Sequence, residues 1–213
     1  MKPQKKLTKT NGKPANDGTK LAQIYNAAAR IICDKGFDAM TMNDIAQAVG
    51  MTKAGVYHYI NGKKDMLFAV MSFGMDSLDR AVIEPAREIS DPELRLRTII
   101  YNHAQLITKG SNPITIVVDE MAGLSALHRR KINQRKRLYF DLIRDTLNQL
   151  QEQDKLREVD TTVAAFSVLG MLLWISRWYH PDGRLDSEAT SDEILKLALG
   201  SVLRPSSRAT KKS

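Results

Sequence analysis

The residues best suited to contact a ligand lie close together in the stretch MTKAGVYHYI, residues 51–60. Lys53 is followed by Tyr57, His58 and Tyr59, which places an ammonium group, an imidazole and two phenol rings within about two helical turns. These groups can donate hydrogen bonds to phosphates and base edges, and the small residues between them allow a close approach. The alternative is that the rings only pack a short amphipathic helix.

Catalytic chemistry has little support in the rest of the chain. His58, His103, His128 and His180 show no metal-ligand spacing, and the only cysteine, Cys33, has no histidine near it in sequence. We find no Gly-rich phosphate loop and no nucleophile elbow. We therefore expect no enzyme, no catalytic residues, no metal site and no cofactor.

Several features favour a cytoplasmic protein that is not inserted in a membrane. One cysteine cannot form an internal disulfide, and the lysine-rich N-terminus has no apolar run of a signal sequence behind it. The most apolar stretch, residues 163–175, is shorter than the ~18 residues that a membrane span needs. We expect it to be a buried helix.

The spacing around the first stretch predicts a helix-turn-helix. Ala46, Gly50 and Val56 provide a small residue where two helices touch, a turn residue that tolerates positive φ and an apolar plug. Ile45 and Val49 complete the inner face. This is the spacing that two helices need if they are to cross closely over a tight turn.

Helical periodicity accounts for most of the chain. Gly36 ends the first helix, Thr41 and Thr52 are candidate N-caps, and Asp91 and Asp160 can cap later helices. No alternating strand pattern exceeds a few residues, so the fold class is all-α. The expected helices cover about residues 19–35, 40–48, 52–59, 63–88, 92–108, 114–124, 127–153, 161–178 and 187–203.

Residues 21–67 resemble the N-terminal domain of TetR-family transcriptional repressors. The shared pattern comprises Ala27-Ala28, Gly36-Phe37, Thr41, Ile45-Ala46, Gly50 and Tyr57-x-Tyr59 with a lysine after it. Three positions depart from the family: Ile60 stands where Phe is usual, Lys64 replaces a usual Glu, and Met51 replaces Val or Ala. A cation in the first turn of a helix is unfavourable with respect to the helix dipole, so we expect Lys64 to be there to bind a DNA phosphate.

The resemblance implies that residues 52–59 form a recognition helix in the major groove of double-stranded DNA. Tyr57 and His58 would reach the duplex one turn after the first contacts, whereas Tyr59 would pack partly inward. We expect Thr52, Lys53, Ala54 and Gly55 nearest the bases, with Lys53 donating to guanine. The expected phosphate contacts, which fix register without reading sequence, are Thr41, Asn43, Lys63 and Lys64.

Charge is distributed unevenly along the chain, whose formal net charge is +8. Residues 19–64 hold six basic and three acidic residues, whereas residues 65–203 hold seventeen basic and twenty acidic ones. The remaining positive charge lies in the two tails. This pattern favours an anion-binding module joined to another domain, with a lysine arm that contacts the DNA backbone or the minor groove.

The rest of the chain is expected to dimerise through its last two helices. A single helix-turn-helix reads a short half-site, so such proteins commonly bind as dimers. Residues 163–178 are apolar nearly all round and contain small residues that let backbones come close. In TetR-family proteins two such helices per subunit commonly form a four-helix interface. The alternative is that they form only the core of one subunit.

The family architecture further implies a ligand pocket among the middle helices. The stretch WISRWYHPDGRL, residues 174–185, is similar to the C-terminal domain of a branch whose repressors respond to acyl-CoA thioesters. We expect aromatic pocket walls from Phe166, Trp174 and Trp178, and phosphate contacts from Arg130 and Arg137 in the basic run HRRKINQRKR. The alternatives are that the tryptophans are core or interface residues and that the basic run is a solvated face.

These inferences divide the chain into four parts. Residues 1–18 form a disordered basic arm, residues 19–64 the helix-turn-helix domain, residues 65–203 a helical ligand-binding and dimerisation domain, and residues 204–213 a basic tail. The expected function is a sequence-specific regulator, a repressor released from a palindromic operator by a small-molecule effector. The alternative is a non-specific, architectural nucleic-acid-binding protein.

Overall fold

The computed structural model describes residues 16–110 and 112–205, apart from the side chains of residues 16, 17, 112, 118 and 119. The arm before residue 16 and the tail after residue 205 lie outside this range. In the described part the chain is almost entirely helical, as the periodicity predicted. The helices are α1 (Asn16–Lys35), α2 (Met42–Ala48), α3 (Lys53–Tyr59), α4 (Lys63–Leu78), α5 (Glu84–Arg87), α6 (Pro92–Thr108), α7 (Asn112–Asp119), α8 (Ala126–Glu152), α9 (Thr161–Trp178) and α10 (Ser187–Val202).

The first three helices and the start of α4 enclose a small core of their own. Ile24 and Ala28 of α1, Ile45 of α2, Val56 of α3 and Leu67 of α4 are each fully buried. The sequence places one of these apolar residues per turn on the inner face, which is why short helices can hold this core. The continuous helix α4 carries the chain from this domain into the next, across the expected boundary at residue 64.

The second domain consists of long helices packed side by side. α6 lies against α8, α9 and α10, and α8 also packs on α9. Asp91, Asp160 and Asp186 each accept a backbone N–H in the first turn of α6, α9 and α10. These caps satisfy donors that a helix start leaves unpaired, so they explain why the sequence marked these starts clearly.

Three helix limits differ from those expected. α1 begins at Asn16, so residues 16–18 are helical and do not belong to the arm. α2 begins at Met42, because Thr41 takes the extended conformation of a cap. The helix expected over residues 114–124 ends at Asp119 and is followed by a 3₁₀ turn, Met121–Gly123. There a Cβ on Gly123 would lie 2.7 Å from Leu67 and 2.8 Å from Phe37, so this turn passes close to both side chains.

The long helix expected towards residue 88 contains a π turn. Asp79–Ile83 separates α4 from α5, and the N–H of Glu84 donates to the carbonyl of Asp79. Asn102 of α6 donates from Nδ2 to the carbonyl of Ala81 at 2.9 Å. A π turn leaves some carbonyls without helical partners, so this side-chain hydrogen bond stabilises it.

Candidate nucleic-acid interface and effector region

The α2–α3 unit has the geometry of a helix-turn-helix. Thr41 and Asp44 form a capping box at the start of α2, and Gly50 turns the chain with φ of 63°. The N–H of Met51 donates to the carbonyl of Ala46 at 2.9 Å, which closes the turn. Val56 is fully buried between the helices. The apolar plug, the small contact and the glycine therefore have the roles that their spacing predicted.

The outer face of α3 carries the side chains expected to read DNA. Thr52 caps the helix by accepting from the N–H of Gly55 at 3.1 Å. Lys53, Ala54, Tyr57 and His58 are exposed, and the Lys53 ammonium lies 6.0 Å from the Tyr57 ring centroid. They form one surface of donors and rings around a small residue.

His58 and Tyr59, the other two rings of the YHY stretch, differ in exposure: His58 is exposed and Tyr59 is half-buried. The His58 and Tyr59 rings meet edge to face, with centroids 5.5 Å apart. Tyr59 and Ile60 pack against the core. The inward orientation expected for Tyr59 is thus correct, and Ile60 fills the position where Phe is usual.

The expected phosphate contacts differ in how free their polar groups are. Asn43 and Lys64 are exposed beside α3. The Thr41 hydroxyl caps α2, and its Oγ1 donates to Asp44 at 2.8 Å. The Lys63 ammonium donates to the carbonyl of Asp38 at 2.7 Å and lies 4.6 Å from the Phe37 ring centroid. Lys63 therefore also joins α4 to the loop before α2.

An ion pair that we did not expect fixes α2 to α1. The Lys35 ammonium lies 2.6 Å from Asp44 Oδ2. Hydrogen bonds from Lys35 and then from Thr41 lower the pKa of Asp44 to about 2. The sequence signal for the local half was present, since T-M-N-D has capping-box spacing, but the partner nine residues away could not be assigned from spacing alone.

The expected aromatic pocket residues lie on the surface of α9. Phe166, Trp174 and Trp178 are 62%, 66% and 45% exposed on the outward face of α9, because Ala165, Val168 and other small or branched residues occupy its inward face. Trp174 borders a small cavity, which Phe166 and Trp178 do not reach. The expectation that this apolar helix is buried is wrong, because one of its faces is exposed.

The basic run lies along α8. Arg130 and Arg137 are both exposed, and Arg137 approaches Asp141 at 3.9 Å. His128, at the start of the run, stacks on Phe68 of α4 with ring centroids 3.9 Å apart. Arg135 bridges α8 to α4 through Asp76 at 2.7 Å and also contacts Asp79. Part of the run is therefore structural, while the two expected phosphate contacts face solvent.

A buried polar pair lies in the core of the second domain. His103 Nδ1 is 2.9 Å from the Tyr139 hydroxyl, and Nε2 of His103 has no hydrogen-bond partner among the residues that the structure describes. Burial lowers the pKa of His103 to about 4. Burial also raises the pKa of Tyr139. Sequence reasoning missed this pair, since the two residues lie 36 positions apart in the chain.

α7 connects the second domain to the helix-turn-helix domain. It packs on α1 and α4, and a Cβ on Gly74 of α4 would lie only 2.6 Å from the carbonyl oxygen of Pro113. At the other end, the N–H of Phe37 donates to Glu120 at 3.2 Å. These contacts join α7 to α4 at one end and to the loop between α1 and α2 at the other.

In the part of the chain that the structure describes, no group of three or more His, Cys, Asp or Glu side chains could hold a metal ion. Helix α9 is long and apolar enough to cross a membrane by length and composition alone. However, it packs along α6, α8 and α10.

Comparisons with known proteins cover both domains. Residues 24–70 match the profile of bacterial regulatory proteins of the tetR family, and residues 90–202 match that of the tetracyclin repressor-like C-terminal domain. The crystal structure of AibR in complex with isovaleryl coenzyme A and operator DNA is 40% identical, covers 84% of this chain and 97% of AibR, and has a TM-score of 0.77.

Two curated relatives are more distant in sequence. The fatty acid metabolism regulator protein of Bacillus subtilis (strain 168) is 22% identical over 86% of this chain and 95% of its own length. The HTH-type transcriptional repressor KstR2 of Mycobacterium tuberculosis (strain ATCC 25618 / H37Rv) is 23% identical over 85% of this chain and 92% of its own length.

Proposed function

The chain belongs to the TetR family of bacterial regulatory proteins and is a DNA-binding, ligand-responsive transcriptional regulator; we propose that it is a dimeric repressor that an acyl-CoA thioester releases from a two-fold-symmetric operator. The outer face of α3 carries this proposal. Lys53, Ala54, Tyr57 and His58 lie exposed on a capped helix whose buried side, Val56, fixes its orientation. We further propose that the protein acts in the cytoplasm and catalyses no reaction.

The base contacts are assigned to the first turn of α3 and the ring contacts to the second. Lys53 and the small residues Ala54 and Gly55 would lie deepest in the major groove, since they permit the closest approach. Thr52 would lie near the bases as well, through a hydroxyl that also caps α3. Thr41, Asn43, Lys63 and Lys64 would contact the backbone, the first through a hydroxyl that also caps α2. Phosphate contacts of this kind give affinity that falls with added salt.

An exposed apolar stripe on α9 supports the dimer. Val163, Phe166, Trp174 and Trp178 follow one another at helical spacing on its outward face, and Leu197 of α10 is exposed beside them. Ser167 and Gly170 leave room for close approach. Contiguous apolar surface of this kind usually marks an interface. A second copy of α9 and α10 would cover it and would set the distance between the two copies of α3, the reading helices of the dimer.

The effector class rests on the relative bound to isovaleryl coenzyme A and operator DNA, which is 40% identical to this chain. Exposed cations at the start of α8, among them Arg130 and Arg137, suit the phosphates of a coenzyme A ester. They remain the proposed phosphate contacts. Phe166 and Trp178 are assigned to the dimer alone, whereas Trp174 lies on the stripe and also borders the small cavity, so it is the aromatic residue retained for the effector.

Release of DNA would follow from a shift between two states of the dimer. An effector that binds one state more tightly shifts the population by its differential affinity. α7 is well placed for this, because it touches the second domain on one side and α1 and α4 on the other. A displaced α7 would alter the separation of the two reading helices, so that they would no longer match two half-sites one helical turn apart.

Selection from random duplex DNA tests the function directly. Purified protein at a fixed, near-physiological salt concentration should enrich a two-fold-related motif, and acyl-CoA esters should then release that DNA. Binding that ignores sequence and falls smoothly with salt would favour the architectural alternative. If a folded dimer enriched no motif, with or without acyl-CoA, the proposal would be wrong.

A further inference from the structure

A small cavity lies between α6, α7 and α9. Its volume is about 120 Å³. Its walls are mostly apolar: Ile107 comes from α6, Ile114 from α7, and Leu173 and Trp174 from α9. Thr115, Ser176 and Arg177 supply its polar edge. The cavity thus has one apolar interior and one polar side, which is how a site for an acyl group with a polar head must be arranged.

We propose that this cavity holds the acyl group of the effector and restricts it to short chains of about five carbon atoms. This inference rests on the proposed acyl-CoA response and adds the size of the acyl group to it. Ile107, Ile114 and Leu173 are then the residues that determine specificity. None of them was singled out by the sequence.

The size limit follows from volume. An apolar cavity of about 150 Å³ holds benzene, which has six carbon atoms, so about 120 Å³ accommodates about five. A fatty acyl chain of sixteen carbons is about three times too long for this space. Its entry would require the buried residues Ile107 and Ile114, which are 8% and 3% exposed, to move apart.

The polarity of the cavity sets the direction of entry. The Ser176 hydroxyl donates to the carbonyl of Leu173 at 3.0 Å, so it is satisfied without a ligand and presents little polarity inward. The Arg177 side chain is exposed at the rim and carries the positive charge that suits a coenzyme A phosphate. The acyl end therefore enters the apolar interior, and the thioester and the charged head stay at the rim.

The position of the cavity links it to both surfaces used in regulation. Ile114 and Thr115 lie on α7, which packs on the reading domain, and Trp174 lies on the exposed stripe of α9. Filling the cavity would hold α7 and α9 at one separation. The size of the acyl group would thereby set the positions of α7 and α9, and through them the positions of the two copies of α3.

A chain-length series tests the size limit. Operator DNA carrying a fluorophore is titrated, in complex with the wild-type protein, with acetyl-, isobutyryl-, isovaleryl-, octanoyl- and palmitoyl-CoA, and release is followed by anisotropy. The four- and five-carbon esters should act at the lowest concentrations, with octanoyl- and palmitoyl-CoA weaker by about tenfold or more because they overpack the site.

Variants on one helix face connect this limit to the cavity. Leu173→Ala removes three carbon atoms from the wall and should shift the preferred acyl group to longer chains by about two or three carbons. Leu169→Ala makes the same change one turn earlier on α9, at a half-buried position outside the cavity, and should leave the preference unchanged. Operator binding without effector checks that both variants are folded.

Tryptophan fluorescence gives a readout that does not depend on DNA. The chain has two tryptophans, so Trp178→Phe leaves Trp174 as the single emitter. At constant protein concentration isovaleryl-CoA should change this emission saturably, whereas free coenzyme A should change it less.

The outcomes separate the two proposals. Equal release by palmitoyl-CoA and isovaleryl-CoA, or a shift of preference in Leu169→Ala equal to that in Leu173→Ala, would overturn the size limit and leave the acyl-CoA response intact. Failure of every acyl-CoA to release the selected operator would overturn both. Release by short esters with no change in Trp174 emission would place the acyl group elsewhere.

Discussion

Tyr57 is the side chain on which the placement of α3 can be tested most directly. It is 42% exposed, lies one turn after Lys53 and has no role in the core. Tyr57→Ala should weaken operator binding by about 1–3 kcal/mol, because one contact to the duplex is lost, and should leave the dimer intact. Anisotropy on the selected operator measures this, with Tyr57→Phe showing how much belongs to the hydroxyl. Wild-type affinity in Tyr57→Ala would contradict the placement of α3 in the groove.

The His103–Tyr139 pair makes stability depend on pH. The pKa of His103 is lowered to about 4, whereas it is about 6.5 in an unfolded chain. Between these pH values the unfolded state therefore binds more protons than the folded state. The free energy of unfolding is at its full value above pH 6.5 and decreases as the pH falls towards 4. Between pH 7.5 and 4.5 this single group should cost the fold about 2–3 kcal/mol.

Urea unfolding at these two pH values measures the effect, provided a variant without the titrating group is compared. His103→Phe combined with Tyr139→Phe removes the group and its partner together, which avoids a buried hydroxyl without a partner. The double variant should lose about 2–3 kcal/mol less than the wild type on acidification. Parallel losses in the two proteins would show that His103 does not titrate as its burial indicates.

At this scale the sequence predicted local roles well and distant pairings poorly. Gly50, Thr52 and Val56 act within a few residues of themselves, so spacing was enough to assign them. The pairs His103 with Tyr139 and Arg135 with Asp76 join helices, and many arrangements of helices are compatible with the same periodicity. The groups expected to face DNA are exposed on α3, and their contact with DNA stays a prediction.

Between helices, the tightest contact is that of α4 with α7 at Gly74. An added Cβ would lie 2.6 Å from the Pro113 carbonyl oxygen, and neither backbone can yield easily. Gly74→Ala should therefore destabilise the protein by about 1–3 kcal/mol, measured by urea unfolding. Gly18→Ala is the matched control, since a Cβ there meets nothing within 4 Å and should stabilise α1 by up to about 1 kcal/mol. Equal stability in the two variants would contradict a rigid α4–α7 contact.

The helices themselves were predictable because their ends carry side-chain signals. Asp91, Asp160 and Thr52 cap the helices that they were expected to cap. The early end of α7 was not predictable, since the close packing of Gly123 on Phe37 and Leu67 joins residues far apart in the chain. The pattern of apolar residues also predicted that α9 would be a helix, but not which of its faces a partner would cover.

For the whole molecule, the proposed dimer depends on the stripe along α9. Phe166 is 62% exposed and its ring lies 4.5 Å from that of Phe140. Phe166→Asp should give monomers in sedimentation velocity and should weaken operator binding, because one reading head contacts only a half-site. Leu94→Asp places the same charge at a residue that is 54% exposed at the start of α6 and should remain dimeric. A dimeric Phe166→Asp protein would place the interface elsewhere.

The charge pattern indicated two domains, because a domain that binds DNA phosphates is expected to have a net positive charge and the rest of the chain is not. The cavity proposed for the effector was not visible in the sequence, because its wall residues Ile107, Ile114 and Leu173 have the types of ordinary core residues. The pocket was instead predicted from the tryptophans, although large aromatic side chains are also common in interfaces. A cavity is a property of packing, and packing between α6, α7 and α9 is set by contacts far apart in the chain.

The π turn at Asp79–Ile83 affects how this chain should be compared with its relatives. A π turn amounts to one additional residue in an otherwise regular helix, and one residue corresponds to about 100° of rotation. A relative with a regular helix at this point needs a one-residue gap within Asp79–Ile83 when the two are aligned. Without that gap, buried positions such as Val82 and Ala86 would be matched to exposed ones, and substitutions in this helix would be assigned to the wrong face.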